Sequence, residues 1–209
     1  MKLQKLGGYA SIILICVIVV IRGISAKLGL PLRYTDVSPT ELMTAFETYP
    51  IFIRIARLTS FLAAIYLVLI TLVLKERMQS DAKNLMSFAI IAASIASTLE
   101  LTGGTILVSS MEAMTAAKEI LSYTLLVGIM EGISYAKGYA WGFALLLTGI
   151  AAVKTLVLPK ILSYIILIYG ICHIITFYVK PAGIVGMLFP IIFLWLGIYL
   201  LWKPEPDIG

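Results

Sequence analysis

The chain has 209 residues, of which 61% are hydrophobic and 13% charged, and its net charge is +5. A soluble domain is nearer half apolar and a quarter charged, so this composition excludes a water-soluble globule and predicts a membrane protein. Most of the basic residues lie at the ends of apolar runs, which is typical of membrane anchoring and disfavours nucleic-acid binding.

Six apolar runs have the length of about 20 residues that a membrane-spanning helix needs. They cover residues 9–26, 51–74, 85–109, 139–157, 161–179 and 183–202. Lys2 and Lys5 precede the first run as in a signal peptide, but no clear cleavage site follows, so we expect a retained helix. The chain is therefore predicted to be an all-α polytopic bundle, with residues 1–209 as one transmembrane domain in the cell membrane.

The longest polar stretch, residues 27–50, contains a helix start. Ser38 can cap a helix, Pro39 suits its first position, and Glu41 can complete a capping box. An apolar face follows at helical spacing, formed by Leu42, Met43 and Phe46. We therefore expect a short amphipathic helix on the membrane surface near residues 38–48, with a plain capped loop helix as the alternative.

A further segment, residues 117–136, leaves the number of spans open. Its charge-free core, Ile120 to Met130, lies between Glu119 and Glu131 and is short enough for a re-entrant or interfacial segment. The chain therefore has either six spans plus this segment or seven spans. If the N-terminus is cytoplasmic, the inner side carries more lysines and arginines than the outer side. This excess is larger with six spans than with seven.

Glu100 is the most unusual residue, because a carboxylate inside a spanning segment is costly and needs a partner or a function. In the six-span topology it lies about 13 Å from the outer end of its predicted helix. The same reasoning places four more ionisable residues in the outward half: Arg22, Arg54, Arg57 and His173. We expect Glu100 to pair with Arg57 or share a proton with His173. These five residues form the candidate ligand- or ion-binding site.

Each of these residues also has a purely structural explanation. The arginines can extend to the membrane interface, His173 can be a hydrogen-bonded packing residue, and Glu100 can be a structural ion-pair partner. In the seven-span topology His173 moves to the inward half and leaves the group. Gly103 and Gly104, beside Glu100, either open the helix to line a cavity or allow tight helix packing.

Several chemistries are disfavoured by the residues present. The single histidine excludes a multi-histidine metal site and bis-histidine haem ligation within one chain. The sequence has no P-loop, no dinucleotide-binding glycine pattern and no apparent set of nucleophile, histidine and acid. We therefore expect no metal and no catalytic residues, and the sequence identifies no cofactor.

Weak, mostly apolar motifs carry a resemblance over most of the chain. The motifs are Arg54-Ile55-Ala56-Arg57, Lys137-Gly138-Tyr139-Ala140-Trp141-Gly142-Phe143, Leu158-Pro159-Lys160-Ile161-Leu162, Gly170 and Trp195-Leu196-Gly197. With these the chain resembles a large family of prokaryotic multi-pass membrane proteins that is catalogued only as a domain of unknown function. The resemblance implies a multi-pass fold and carries no activity and no functional residues.

Two functional classes follow from these observations. The first is a non-catalytic integral membrane protein, a subunit or accessory component of a membrane complex, since polar content is sparse and a soluble domain is absent. The second is a small-molecule or ion-binding membrane protein or transporter that uses Glu100 and Arg57. An intramembrane enzyme is less favoured, because its acid and base would have to come from the same few residues. The expected partners are the lipid bilayer and other membrane subunits.

Overall fold

The computed structural model describes residues 3–30, 38–78, 80–117, 123–179 and 182–203, and all regular structure in these ranges is helical. The helices are α1 (Leu3–Lys27), α2 (Pro39–Thr48), α3 (Pro50–Glu76), α4 (Ser80–Ala117), α5 (Tyr123–Thr155), α6 (Lys160–Val179) and α7 (Ala182–Trp202). The prediction of an all-α bundle is confirmed.

Within the described ranges, four helical stretches are long and apolar enough to cross a membrane. They are Leu3–Lys27, Ile53–Glu76, Ala82–Met114 and Leu125–Thr155, and shorter apolar stretches, Lys160–Ile175 and Leu188–Trp202, lie in α6 and α7. Hydrocarbon offers no hydrogen-bond partner to the backbone, so apolar runs of this length are stable there only as helices. The helices are therefore consistent with a membrane protein.

The six long helices form a closed ring, in which sequence neighbours pack together and α7 packs against α1. The end of the ring where the described chain begins and stops is called the terminal end here. At this end Gln4 Nε2 donates hydrogen bonds to the carbonyl oxygens of Leu200 (2.5 Å) and Lys203 (2.7 Å). Tyr199 Oη donates to the carbonyl of Val157 (3.0 Å) in the turn before α6. These bonds connect α7 to both of its neighbours.

A continuous hydrophobic core fills the interior of the ring. On α4 the core face includes four alanines, each at most 1% exposed: Ala82, Ala89, Ala93 and Ala96. Small side chains let neighbouring helices approach closely, which matters in a membrane because lipid exclusion alone does not hold helices together. Other helices contribute larger residues to the core, among them Leu67 of α3 and Phe193 of α7. Ser11 and Tyr66 share a buried hydrogen bond that joins α1 to α3.

Helix α5 contradicts the seven-span alternative. Residues 123–136 of the weak segment and residues 139–155 of the predicted span lie in one helix, Tyr123–Thr155, so they cannot be two antiparallel spans. Residues 118–122 of that segment lie outside the described ranges.

Helix α4 also continues beyond its predicted end at residue 109, to Ala117. Helices α4 and α5 have 38 and 33 residues and are therefore about 57 Å and 50 Å long. Both lengths exceed the ~30 Å of a hydrocarbon core.

The short helix α2 forms as predicted, with the expected capping box. Ser38 Oγ accepts a hydrogen bond from the backbone N–H of Glu41 (3.3 Å), and Glu41 Oε2 accepts one from the backbone N–H of Ser38 (2.8 Å). The hydrogen bonds from the backbone and side chain of Ser38 lower the pKa of Glu41 below its ordinary value. The cap therefore fixes where the helix begins.

The apolar face of α2 has a different partner from the one predicted. Leu42, Met43 and Phe46 are buried against α4 and α5 instead of facing lipid, in a cluster with Leu107, Met111, Met114, Tyr123, Leu126 and Met130. This α2 cluster exists because α4 and α5 extend far enough to cover the face. We call this end of the bundle the α2 end.

Two glycines bring α5 and α6 into close contact. A Cβ atom at Gly149 would lie 2.6 Å from the backbone nitrogen of Leu167, and one at Gly170 would lie 2.5 Å from the backbone nitrogen of Leu146. Neither position has room for a methyl group unless the helices move apart.

We expect Gly149→Ala to lower the free energy of unfolding by about 1–3 kcal/mol, because the added methyl overpacks the α5–α6 contact. Gly132→Ala is the matched control, since it lies on the same helix and a Cβ there meets open space. The control should be neutral or gain up to about 1 kcal/mol from helix propensity. Thermal unfolding in detergent measures both, and equal midpoints for the two variants would contradict the close contact.

Candidate functional site

A cleft of about 300 Å³ lies between α3 and α4, and Glu100 lies in its wall. Its polar lining is formed by Arg54, Arg57, Glu100, Thr105 and Ser109. Its apolar lining includes Leu58 and Phe61 of α3 and Leu101 and Val108 of α4. The structure thus brings together three of the five predicted site residues in one depression with an apolar wall.

Lys137, which lies between the weak segment 117–136 and the predicted span 139–157, is an ion-pair partner of Glu100. Its Nζ donates a hydrogen bond to Glu100 Oε2 from the adjacent helix α5. The Glu100 side chain is 12% exposed and that of Lys137 is 30% exposed, so the pair is largely withdrawn from the surface. The expectation that the carboxylate has a charged partner is confirmed. The sequence did not identify this partner because residue 137 lies outside the predicted span 139–157.

A second ion pair closes the cleft toward the α2 end. Arg54 Nη2 lies 2.7 Å from Glu112 Oε1, and Arg54 Nε donates to the same oxygen at 2.9 Å. The two side chains are 62% and 43% exposed, and an exposed pair of this kind contributes about 0–1 kcal/mol. Its main effect is therefore geometric, since it connects the α3 wall of the cleft to the α4 wall.

The other two predicted residues, Arg22 and His173, are not part of the cleft lining. His173 packs on α6 against the rings of Trp141 and Tyr169, with ring centroids 6.3 Å and 5.7 Å away. Arg22 lies within electrostatic range of Tyr169, and Lys137 lies within electrostatic range of His173. The predicted group of five is therefore divided between the cleft and an aromatic contact of α5 and α6.

The glycines beside Glu100 support packing and do not interrupt the helix. A Cβ atom at Gly103 would lie 2.9 Å from Cγ2 of Ile133 on α5, so this glycine permits a close contact between α4 and α5. Gly104 faces open space and lines the cleft. Since α4 is continuous from Ser80 to Ala117, the alternative of a broken helix is wrong.

Four helices each carry a pair of charged residues with nearly the same separation along the helix. The separation is 17 residues for Lys5 and Arg22, for Lys83 and Glu100, and for Lys137 and Lys154, and 18 residues for Arg57 and Lys75. At 1.5 Å per residue these separations are about 26–27 Å. We call the level of Lys5, Lys75, Lys83 and Lys154 the terminal belt, and that of Arg22, Arg57, Glu100 and Lys137 the cleft belt. This repeated spacing was the signal in the sequence that could have linked Lys137 to Glu100.

Among the described residues, the charged side chains in and around the cleft are three cations and two acids. Arg54, Arg57 and Lys137 are positive, and Glu100 and Glu112 are negative. Guanidinium groups beside an apolar wall can bind an anion that also has an apolar part. In the described part of the chain, no group of three or more histidine, cysteine or acidic side chains could hold a metal ion.

Comparison with known proteins finds no family model, no curated protein and no solved structure that matches the chain. The resemblance to a multi-pass family therefore stays a prediction, and the cleft is the feature of the molecule that bears on function.

We expect Lys137→Met to lower the free energy of unfolding by about 3 kcal/mol, because it leaves the Glu100 carboxylate uncompensated at low exposure. The double variant Lys137→Met with Glu100→Gln should recover most of this loss, since the unpaired charge is removed. Lys154→Met is the control, because Lys154 is an exposed lysine near the other end of α5. Thermal unfolding in detergent checks all three, and additive effects in the double variant would contradict a working ion pair.

Proposed function

We propose that this protein is a non-catalytic integral membrane protein with six spans that binds a small anionic molecule in the cleft between α3 and α4. The observation that carries the proposal is the pair of arginines, Arg54 and Arg57, on one apolar-walled cleft whose carboxylate is already engaged by Lys137. An anion there would meet guanidinium donors without facing an uncompensated acid.

The six spans are proposed from the lengths of the helices and the two belts of charge. The belts are about 26–27 Å apart, close to the ~30 Å of a hydrocarbon core, so each is assigned to one membrane interface. Helices α6 and α7, with 20 and 21 residues, are also long enough to span this thickness. The terminal belt is rich in lysine, which assigns the terminal end and the N-terminus to the cytoplasm of a cell membrane. The α2 cluster then lies outside the bilayer.

This topology predicts opposite accessibility for two exposed positions, Thr40 on α2 and Lys203 after α7. Each is changed to cysteine in a chain whose Cys16 and Cys172 are replaced by alanine. A membrane-impermeant thiol reagent should label Thr40→Cys in intact cells and Lys203→Cys only after permeabilisation. Labelling of both positions in intact cells would contradict an even number of spans.

The physical basis of anion recognition is the guanidinium group. Arginine presents several N–H donors in a rigid plane that matches the oxygens of a phosphate or carboxylate, and such charge-assisted bonds are about twice as strong as neutral ones. The apolar wall of Leu58 and Phe61 favours a ligand with a hydrocarbon part.

Octyl phosphate, an anion with a short hydrocarbon chain, is the probe for this site, and isothermal titration calorimetry measures its binding to the purified protein. We expect Arg57→Gln to weaken binding at least tenfold, because a hydrogen bond to a charged group contributes about 1.5–3 kcal/mol. Arg22→Gln is the matched control, since it removes an arginine of the same belt outside the cleft lining. Equal binding of uncharged octyl glucoside, or an unchanged affinity in Arg57→Gln, would overturn the proposal.

A second candidate function, a subunit of a membrane complex, is favoured by an exposed stripe of polar residues on α4. Its members fall on one face of the helix and are Ser94, Thr98, Thr102, Thr105, Ser109 and Glu112. Small hydroxyl-bearing residues are common where membrane helices meet. Purification from the native membrane in a mild detergent tests this candidate, which predicts a constant set of co-purifying proteins and is contradicted by recovery of a lone monomer.

A further inference from the structure

We infer that the turn between α5 and α6 binds an anionic phospholipid of the leaflet that the terminal end faces. This binding surface is separate from the cleft and rests only on the proposed six-span topology, which places the turn at a membrane interface. Three features of the turn support it: two lysines far from any acid in the sequence, exposed apolar side chains beside them, and a backbone that is held in an uncommon conformation.

Two exposed lysines flank the turn. Lys154 lies in the last turn of α5 and Lys160 is the first residue of α6, with the non-helical residues 156–159 between them. In the described part of the chain neither lysine takes part in an ion pair. The sequence has no aspartate or glutamate between Glu131 and Glu205, so α6 and α7 contain no acid that could compensate the charge of the turn.

The turn between α3 and α4, at the same end of the bundle, has lysines that lie next to acids. Glu76 follows Lys75, and Asp81 precedes Lys83 by two residues. Lys75 also has a polar partner, because its Nζ donates a hydrogen bond to Ser87 Oγ (2.9 Å). A neighbouring acid weakens the attraction between a lysine and an anion. Of these two turns, the one between α5 and α6 is therefore better suited to a negatively charged partner.

Exposed apolar side chains adjoin the two lysines. Leu156 in the turn is 60% exposed, and Ile161, next to Lys160, is 66% exposed. From Ile161 an exposed face of α6 continues toward the α2 end through Tyr164, Ile168, Ile171 and Ile175. This face is about 21 Å long, more than the ~15 Å depth of one leaflet. A lipid whose phosphate meets the lysines can therefore lay an acyl chain along α6 for the whole depth of its leaflet.

The backbone of the turn is held in a conformation that leaves Leu156 exposed. Leu156 has a φ of 53°, in the left-handed region that is costly for a residue with a Cβ atom. Two contacts hold the turn in spite of this cost. Leu158 is buried in the core, and the carbonyl of Val157 accepts a hydrogen bond from Tyr199 Oη (3.0 Å). The turn is therefore ordered before a partner binds, which lowers the entropy cost of binding.

An anionic phospholipid matches both the charge and the apolar part of this surface. Lysines at a membrane surface attract anionic headgroups, and apolar side chains beside them are stabilised by contact with acyl chains. A water-soluble anion would leave Leu156 and Ile161 without an apolar partner. A headgroup without an amine, as in phosphatidylglycerol, keeps the full negative charge of its phosphate. In phosphatidylcholine the choline cation cancels that charge, so we expect the turn to prefer phosphatidylglycerol.

The test compares the lipids retained by the delipidated full chain in an uncharged maltoside detergent. Phosphatidylglycerol and phosphatidylcholine with identical acyl chains are added in equal amounts, and native mass spectrometry counts the lipids that stay bound. We expect the wild-type chain to retain phosphatidylglycerol with about tenfold preference, because each lysine near a headgroup strengthens the attraction. This comparison needs no variant, so it remains decisive if a variant fails to fold.

Variants assign the preference to the turn. Lys154→Gln combined with Lys160→Gln should reduce it to within about twofold, whereas Lys154→Arg combined with Lys160→Arg should keep it, since arginine has the same charge. The matched control combines Lys5→Gln with Lys83→Gln, which removes two exposed lysines of the same end of the bundle. The control should keep the preference of the wild-type chain.

Three outcomes would overturn the inference. Equal retention of both lipids by the wild-type chain would show an ordinary lipid coat. An equal loss of preference in the control would assign the attraction to all lysines of the terminal end. Displacement of phosphatidylglycerol by a tenfold excess of glycerol phosphate would show a site for a water-soluble anion. Thiol labelling of Thr40→Cys and Lys203→Cys reports separately on the six spans, so an absent lipid preference with the expected labelling overturns this inference alone.

Discussion

The ion pair between Glu100 and Lys137 is the interaction on which the rest of the α2 end depends. An isolated charge that is largely withdrawn from the surface is costly, and the attraction between opposite charges is strongest where water is scarce. Because the two residues lie on α4 and α5, their contact sets the register of the longest pair of helices in the bundle. That register then aligns Leu107 and Met111 of α4 with Leu126 and Met130 of α5 to form the surface that α2 covers. It also orients the α4 wall of the cleft toward α3.

The cleft illustrates how a membrane protein can hold charged groups at a modest free-energy cost. Acids are engaged by cations from a neighbouring helix, Glu100 by Lys137 and Glu112 by Arg54, so no carboxylate of the cleft lacks a compensating charge. Apolar residues line the same cleft, which suits the proposed binding of a molecule that is charged at one end and apolar at the other.

Sequence reasoning succeeded where the signal is local and failed where it is not. The capping box of Ser38 and Glu41 predicted the start of α2, because all its hydrogen bonds lie within four residues. The partner of the helix was missed, because Met111 and Met130 are distant in sequence. The pairing of Lys137 with Glu100 was missed for the same reason, because the two residues are also distant in sequence. Charge and glycine in an apolar stretch usually mark a turn, and hydropathy carries no information about a carboxylate one helix away.

The sequence by itself determined that the chain is helical, that its helices are of membrane-spanning character, and that Glu100 needs a charged partner. These properties follow from composition, local hydrogen bonds and the cost of charge in an apolar medium, each of which can be read one segment at a time. Only the tertiary structure decided which cation meets Glu100, that residues 123–155 form one helix, and that Arg54 and Arg57 share a cleft with it. These three features depend on how helices pack side by side. The contact between α4 and α5, for example, joins residues 37 positions apart and leaves no local pattern in the chain.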